Sequence, residues 1–149
     1  MGANGHLEID FAIDRTGNVA PAHATLYAAF GGWIAACYGK APLAAGALAA
    51  GGYSVTLPLP AGAAPDRVVL QEDIAGGQYL VSYVVEALVG GAWQGFSRGV
   101  TIGSKRIDVL AGGALAGATA VRLNVTEAYA PGHAGVTLAV LGGAGCATA

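Results

Sequence analysis

The sequence predicts a mainly β fold, an antiparallel β-sandwich preceded by one short strand and one α-helix. Three patterns carry that prediction. Short runs of alternating apolar and polar residues recur from Tyr53 onward, a Gly90-Gly91 pair separates two of them, and one earlier stretch, Pro21 to Tyr38, has a helical period instead. Strands at this spacing, joined by short turns, are the signature of a sandwich.

The first element is Leu7 to Phe11, where Leu7, Ile9 and Phe11 alternate with Glu8 and Asp10, a short strand with one protected face. Asp14-Arg15-Thr16-Gly17 closes it as a turn, with Asp14 the residue that fixes the turn. In the helix, Leu26, Phe30, Trp33, Ile34 and Cys37 form one stripe, Pro21 suits the first turn and Gly39 the C-cap. Its other faces carry Ala, Gly and Thr where a free surface helix would carry charge, so this helix expects a partner. Gly39 to Gly52 has no period and holds five glycines or prolines in fourteen residues, which reads as a linker or mobile loop.

Beyond it Tyr53, Val55, Leu57 and Leu59 share one face, and Pro58 and Pro60 confine that strand to an edge or to its last residues. Val68 and Leu70 lead to Glu72. Val81, Tyr83 and Val85 form the next strand, with Ser82 and Glu86 on its other face, and Gly90-Gly91 turns it into Ala92–Phe96 because both glycines can take positive φ. Val121, Leu123 and Val125 alternate with Arg122, Asn124 and Thr126, and Val136, Leu138 and Val140 complete the series.

Composition narrows the function classes. The 149 residues suffice for one domain and a proper core. Seven basic residues against nine acidic ones, a net charge of −2 without runs, exclude a phosphate-binding footprint and hence a nucleic-acid partner. Hydrophobic residues make up 54%, but 33 of them are Ala, and with 25 Gly besides, 58 of the 149 positions carry little or no side chain. The longest charge-free stretch, Ala41 to Pro65, is broken by four Pro and four Gly, so no membrane span is expected. The start MGANGHLEID has no basic segment followed by a long apolar run, so no export signal is expected in it. Cys37 and Cys146 are too few for a disulfide framework and too far apart in sequence for a CxxC motif; they are expected as buried small hydrophobes. No nucleotide-binding glycine loop occurs, and no cofactor is expected.

The run VVLQEDIAGGQYLVSYVVEALVGGAWQGFSRGVTIGSKRI, Val68 to Ile107, resembles the C-terminal β-sandwich of glycoside hydrolase family 29, the α-L-fucosidases, whose members carry a similar "QEDI…GQ…VEA…W…G.TIG.KRI". Asn4 to Gly39 is similar to the last strand and helix of the same family's (β/α)8 barrel, through "NGxLLLNIxPDxxG.I" and "FGxWI…YG". The resemblance covers about four fifths of the chain. It implies that residues 1–39 are a remnant of the barrel's last strand and helix, 40–52 an Ala/Gly linker, 53–143 a galactose-binding-like (discoidin-like) jelly-roll sandwich and 144–149 a tail. It further implies a parent that hydrolyses terminal α-L-fucose from glycoconjugates with retention, usually secreted or lysosomal. The partners would be a fucosylated glycan, met through the parent, and the missing barrel. The family's nucleophile and acid/base lie on earlier barrel strands and loops, so no catalytic residue carries over. Two departures stand out. Ser104 in TIGSKRI replaces the family's histidine, and a stretch holding a first sandwich strand is missing between Gly39 and Tyr53, which leaves the sandwich short of an edge strand.

Glu8 and Asp10 lie on one face of a strand, but without the other barrel strands no pocket desolvates them. Glu72 and Asp73 face opposite ways and cannot form an acid/base pair. Trp93 and Tyr53 are the candidate sugar-binding residues, with Tyr79, Tyr83 and Tyr129 further aromatics that could stack on a sugar face; packing of Trp93 over the core or the barrel is the competing reading. Lys105, Arg106 and Asp108 read as a solvated strand with cross-strand charge pairs. His6, His23 and His133 lack ligand spacing, and no metal site is expected. The second functional reading is a stand-alone carbohydrate-binding or interaction module of discoidin-like fold.

Overall fold

The computed structural model describes residues 5, 7–110, 115–129, 135–143 and 146. Helix α1 spans Pro21–Tyr38, and eight strands follow it: β1 (Ala44–Ala47), β2 (Ser54–Pro58), β3 (Arg67–Gln71), β4 (Leu80–Val89), β5 (Ala92–Gly99), β6 (Arg106–Val109), β7 (Ala118–Ala128) and β8 (Thr137–Leu141). The chain divides into two compact units, His6–Ala41 and the remainder.

In the smaller unit the run Leu7–Phe11 makes no strand pairing among the described residues; the pairing found is the isolated antiparallel bridge between Ile13 and Val19. An alternating sequence needs hydrogen-bonded neighbours to become a strand, so the expected short strand is not formed. Helix α1 begins on Pro21 as read and ends at Gly39, whose N–H donates to the Ala35 carbonyl at 3.0 Å. Gly39 is right-handed there, with φ of −85°. Its glycine is therefore required by space, since a Cβ would meet the Ala35 oxygen at 2.6 Å, and not by a left-handed cap. The apolar residues of α1 are poorly covered: Leu26 is 65% and Tyr27 61% exposed, Phe30, Trp33 and Ile34 are half-buried, and Cys37 is buried. Phe30 and Trp33 stack at 6.2 Å, and Phe11 meets Tyr27 edge-on at 5.5 Å. Among the described residues no helix is long and apolar enough to cross a membrane.

The larger unit is a sandwich of two four-stranded sheets, β1-β8-β3-β6 and β2-β7-β4-β5, with every pairing antiparallel. Between them lie Val68 and Leu70 of β3, Leu138 and Val140 of β8, Tyr83, Val85 and Ala87 of β4, and Val121, Leu123 and Val125 of β7. These are the inward positions that the alternation of the sequence marks, and full burial of each large aliphatic stabilises by about 1.5–3 kcal/mol. Strand β2 is an edge strand ending at Pro58, as its prolines require. The Gly90-Gly91 turn has φ of 59° and 82°, the positive pair a two-residue hairpin demands.

Three features depart from the sequence reading. Ala44–Ala47, inside the stretch read as a linker, is strand β1, paired antiparallel with β8, so the sandwich has the edge strand it was expected to lack. Small residues carry no strand propensity of their own, but here they permit close sheet packing: a Cβ on Gly46 would come within 2.6 Å of the Leu57 side chain. A bulge where β4 meets β7 leaves Leu80 buried and Val81 half-buried, reversing the expected facing of Val81. Finally, Cys37 and Cys146 are both disulfide-bonded rather than two buried thiols.

Candidate functional site

The clustered acids before α1 serve the turn. Asp14 Oδ1 accepts hydrogen bonds from the Thr16 N–H at 2.8 Å, the Thr16 hydroxyl at 2.6 Å and the Asn18 N–H at 3.0 Å. The Thr16 hydroxyl above all, with the backbone N–H groups, holds the Asp14 carboxyl below its usual 3.8. Glu8 and Asp10 are exposed. His23 stacks obliquely on Phe11 at 5.6 Å, while His6 and His133 lie outside the described residues. Among the described residues no group of three His, Cys, Asp or Glu side chains converges as metal ligands would.

In the sandwich the buried carboxylates are satisfied acceptors. Glu72, 4% exposed, receives the backbone N–H of Tyr79 at 2.7 Å and of Leu80 at 3.0 Å on one oxygen, and that of Gly103 at 3.3 Å on the other. One side chain thus ties the QED run to the TIG run. Asp73 turns the other way and accepts the Ala75 N–H at 3.0 Å. Asp66 binds buried Arg67 and accepts the Gly143 N–H at 3.1 Å. Asp108 accepts the Tyr83 hydroxyl at 2.6 Å, the Ser97 hydroxyl at 2.9 Å and Arg106 Nε at 2.8 Å. Burial first, and then the Asp108 carboxylate, push the Tyr83 phenol well above its usual 10.0. Arg106 therefore pairs within its own strand with a buried acid, not across strands on a solvated face as its sequence suggested.

The outer face of the β2-β7-β4-β5 sheet holds the richest polar array. Arg122 lies 4.0 Å above the Trp93 ring and donates Nε to Glu86 at 2.7 Å; Asn124 donates to the same Glu86 oxygen at 2.8 Å; Ser54 donates to Asn124 at 2.7 Å. Cross-strand register builds this, since Glu86 faces Arg122 and Asn124 faces Ser54. The Arg122 hydrogen bond chiefly, aided by Asn124, holds the Glu86 carboxyl below its usual 4.5. Trp93 is half-buried and carries a guanidinium on one face.

Tyr53 is 43% exposed and precedes β2, at the opposite edge of that sheet from Trp93 on β5, so the two predicted sugar-binding residues do not share a platform. Tyr79 and Tyr129 are neighbours through a 2.9 Å backbone hydrogen bond, and Tyr129 is 82% exposed. Tyr83 belongs to the core. Glu86, Arg122 and Asn124 were visible in sequence as polar alternates, but their convergence required strand order.

No family model matches the chain, and no curated protein does. Solved structures do. One from Bacteroides thetaiotaomicron, described as an alpha-L-fucosidase, is 29% identical with a TM-score of 0.74, over 85% of this chain and 28% of its own. The resemblance is to α-L-fucosidases of glycoside hydrolase family 29. A glycoside hydrolase 29 family member from an unknown rumen bacterium is 24% identical with a TM-score of 0.72, over 89% of this chain and 25% of its own. A Ruminococcus gnavus family 29 fucosidase, solved in complex with fucose, is 20% identical with a TM-score of 0.72, over 92% of this chain and 33% of its own. At those two identities the likeness is one of fold. The chain thus spans about a quarter to a third of the length of the fucosidases it resembles.

Proposed function

We propose that the chain is the C-terminal part of an α-L-fucosidase-like retaining glycoside hydrolase, with residues 1–39 the end of a catalytic barrel and the sandwich its accessory domain. The whole enzyme releases terminal α-L-fucose from glycoconjugates, and the part described is not catalytic alone. The observation that carries this reading is the 29% identity over 85% of this chain but 28% of the fucosidase. The poor cover of Leu26 and Tyr27 supports it too, because a barrel helix would bury such a stripe. A retaining glycosidase needs two carboxyl groups about 5–5.5 Å apart across the scissile bond. Glu72, Asp66 and Asp108 are instead engaged by donors of the sandwich. The disulfide-bonded cysteines suit the oxidising compartment of a secreted or lysosomal parent.

Purified chain is expected to release no nitrophenol from an aryl α-L-fucoside, whereas the longer in-frame product, if the upstream DNA encodes a barrel, does. Turnover by the purified chain that survives stringent purification would overturn the reading. Binding of a hydrophobic dye, lost on Leu26→Asp, is the expected mark of the uncovered helix.

A stand-alone carbohydrate-binding or interaction module of discoidin-like fold is the second reading. It draws on a core made entirely of residues from Leu48 onward. A promoter and start site directly before Met1 would favour it.

A further inference from the structure

Two shallow clefts of about 410 and 530 Å³ are lined by β4 and β5 and share Val84 and Arg98; the second also takes in Thr126 of β7 and Arg106 of β6, from the other sheet. Gly95 opens the first, with nothing within 4 Å of where its Cβ would be. The second is lined by Arg98 and Arg106, the Ser82 and Thr126 hydroxyls, which bond each other at 2.7 Å, and Val100, 72% exposed.

Among the described residues the Arg98 guanidinium makes no hydrogen bond or ion pair, and that of Arg106 uses only Nε, toward Asp108. Two guanidinium groups with free donors thus face one groove of ligand-binding size. Planar forks of this kind select carboxylate, sulfate and similar oxyanions. The hydroxyl pair and the apolar floor at Val84 suit the mixed polar and apolar surface of a sugar ring.

We propose that this groove binds an acidic saccharide, its sulfate or carboxylate held between Arg98 and Arg106 and its ring over Val84 and the Ser82–Thr126 pair. The anion site stands on the geometry; the sugar rests on the hydrolase reading.

The test is titration of the intact chain with galactose 6-sulfate, galacturonate, galactose and inorganic sulfate, followed by calorimetry or amide shifts at 82–84 and 98–100. Expected are binding of one or both acidic sugars at least tenfold tighter than galactose and than inorganic sulfate, and weakening as salt rises. Galactose 6-sulfate against galacturonate separates sulfate ester from carboxylate. Arg98→Gln should reduce affinity at least tenfold with unchanged melting, Arg98→Lys should recover part of it, and Arg15→Gln, in the distant-sequence turn, should change nothing. Unaltered affinity in Arg98→Gln, or equal binding of galactose and the acidic sugars, overturns the proposal, and equal binding of inorganic sulfate overturns its sugar. The parent's fucoside hydrolysis tests the enzyme reading separately.

Discussion

Replacing Glu72 by Gln probes the link between the two motif runs most directly. The carboxylate accepts three backbone N–H groups from two loops, at 2.7, 3.0 and 3.3 Å, and the residue is 4% exposed. Hydrogen bonds to a charged group contribute about 1.5–3 kcal/mol each, and a buried donor left without an acceptor costs about 1–3 kcal/mol. A glutamine amide keeps one acceptor oxygen, for Tyr79 and Leu80, and turns an NH2 donor against the Gly103 N–H. The net loss is about 3 kcal/mol, less than the sum because partial relaxation is shared among the bonds. With an m-value of about 2 kcal/mol/M in urea, the midpoint falls by about 1.5 M. Urea unfolding measures this, and native-state hydrogen exchange localises it: the Gly103 amide should lose protection more than Leu80. A midpoint shift below about 0.3 M, with Gly103 still protected, would refute the view that this carboxylate holds the QED and TIG runs together.

Gly99→Ala places a Cβ 2.6 Å from the Tyr83 hydroxyl oxygen and 2.7 and 2.8 Å from two atoms of its ring, which Asp108 anchors, and should cost about 2–3 kcal/mol by thermal melting. Gly95→Ala on the same strand meets nothing within 4 Å and should change stability by less than about 0.5 kcal/mol. Because the Tyr83 phenol is raised above its unfolded value of 10.0, the folded state holds its proton more tightly; the increment is intact below pH 10 and is lost as pH climbs above it. Tyr83→Phe should flatten that alkaline decline in a pH series of melting temperatures. The Glu86 carboxyl is lowered, so its contribution is present above its usual 4.5 and fades as acid titrates the folded group. Arg122→Gln should remove that acid-sensitive part, an effect under about 1 kcal/mol at a sheet surface, and shift the Glu86 titration upward by carbon-detected NMR.

Period-two alternation sufficed to place Val121, Leu123, Val125, Val136, Leu138 and Val140 inside, because a strand sends successive side chains to opposite faces wherever its partners lie. The Gly90-Gly91 hairpin, the Asp14 turn and the start of α1 were equally legible, since each rests on backbone preferences within a few residues. Tertiary structure alone decided the rest. Ala44–Ala47 is a strand only because β8, some ninety positions later in the chain, supplies its hydrogen bonds, whereas Leu7–Phe11, with the better strand pattern, has no such neighbour among the described residues. The Glu86–Arg122–Trp93 array and the groove at Arg98 arise from strand order and from bulges that re-aim single residues. Local sequence sets which way a side chain points, but what it meets depends on segments brought together by burial of the common core, an interaction without direction and therefore without a short-range signature.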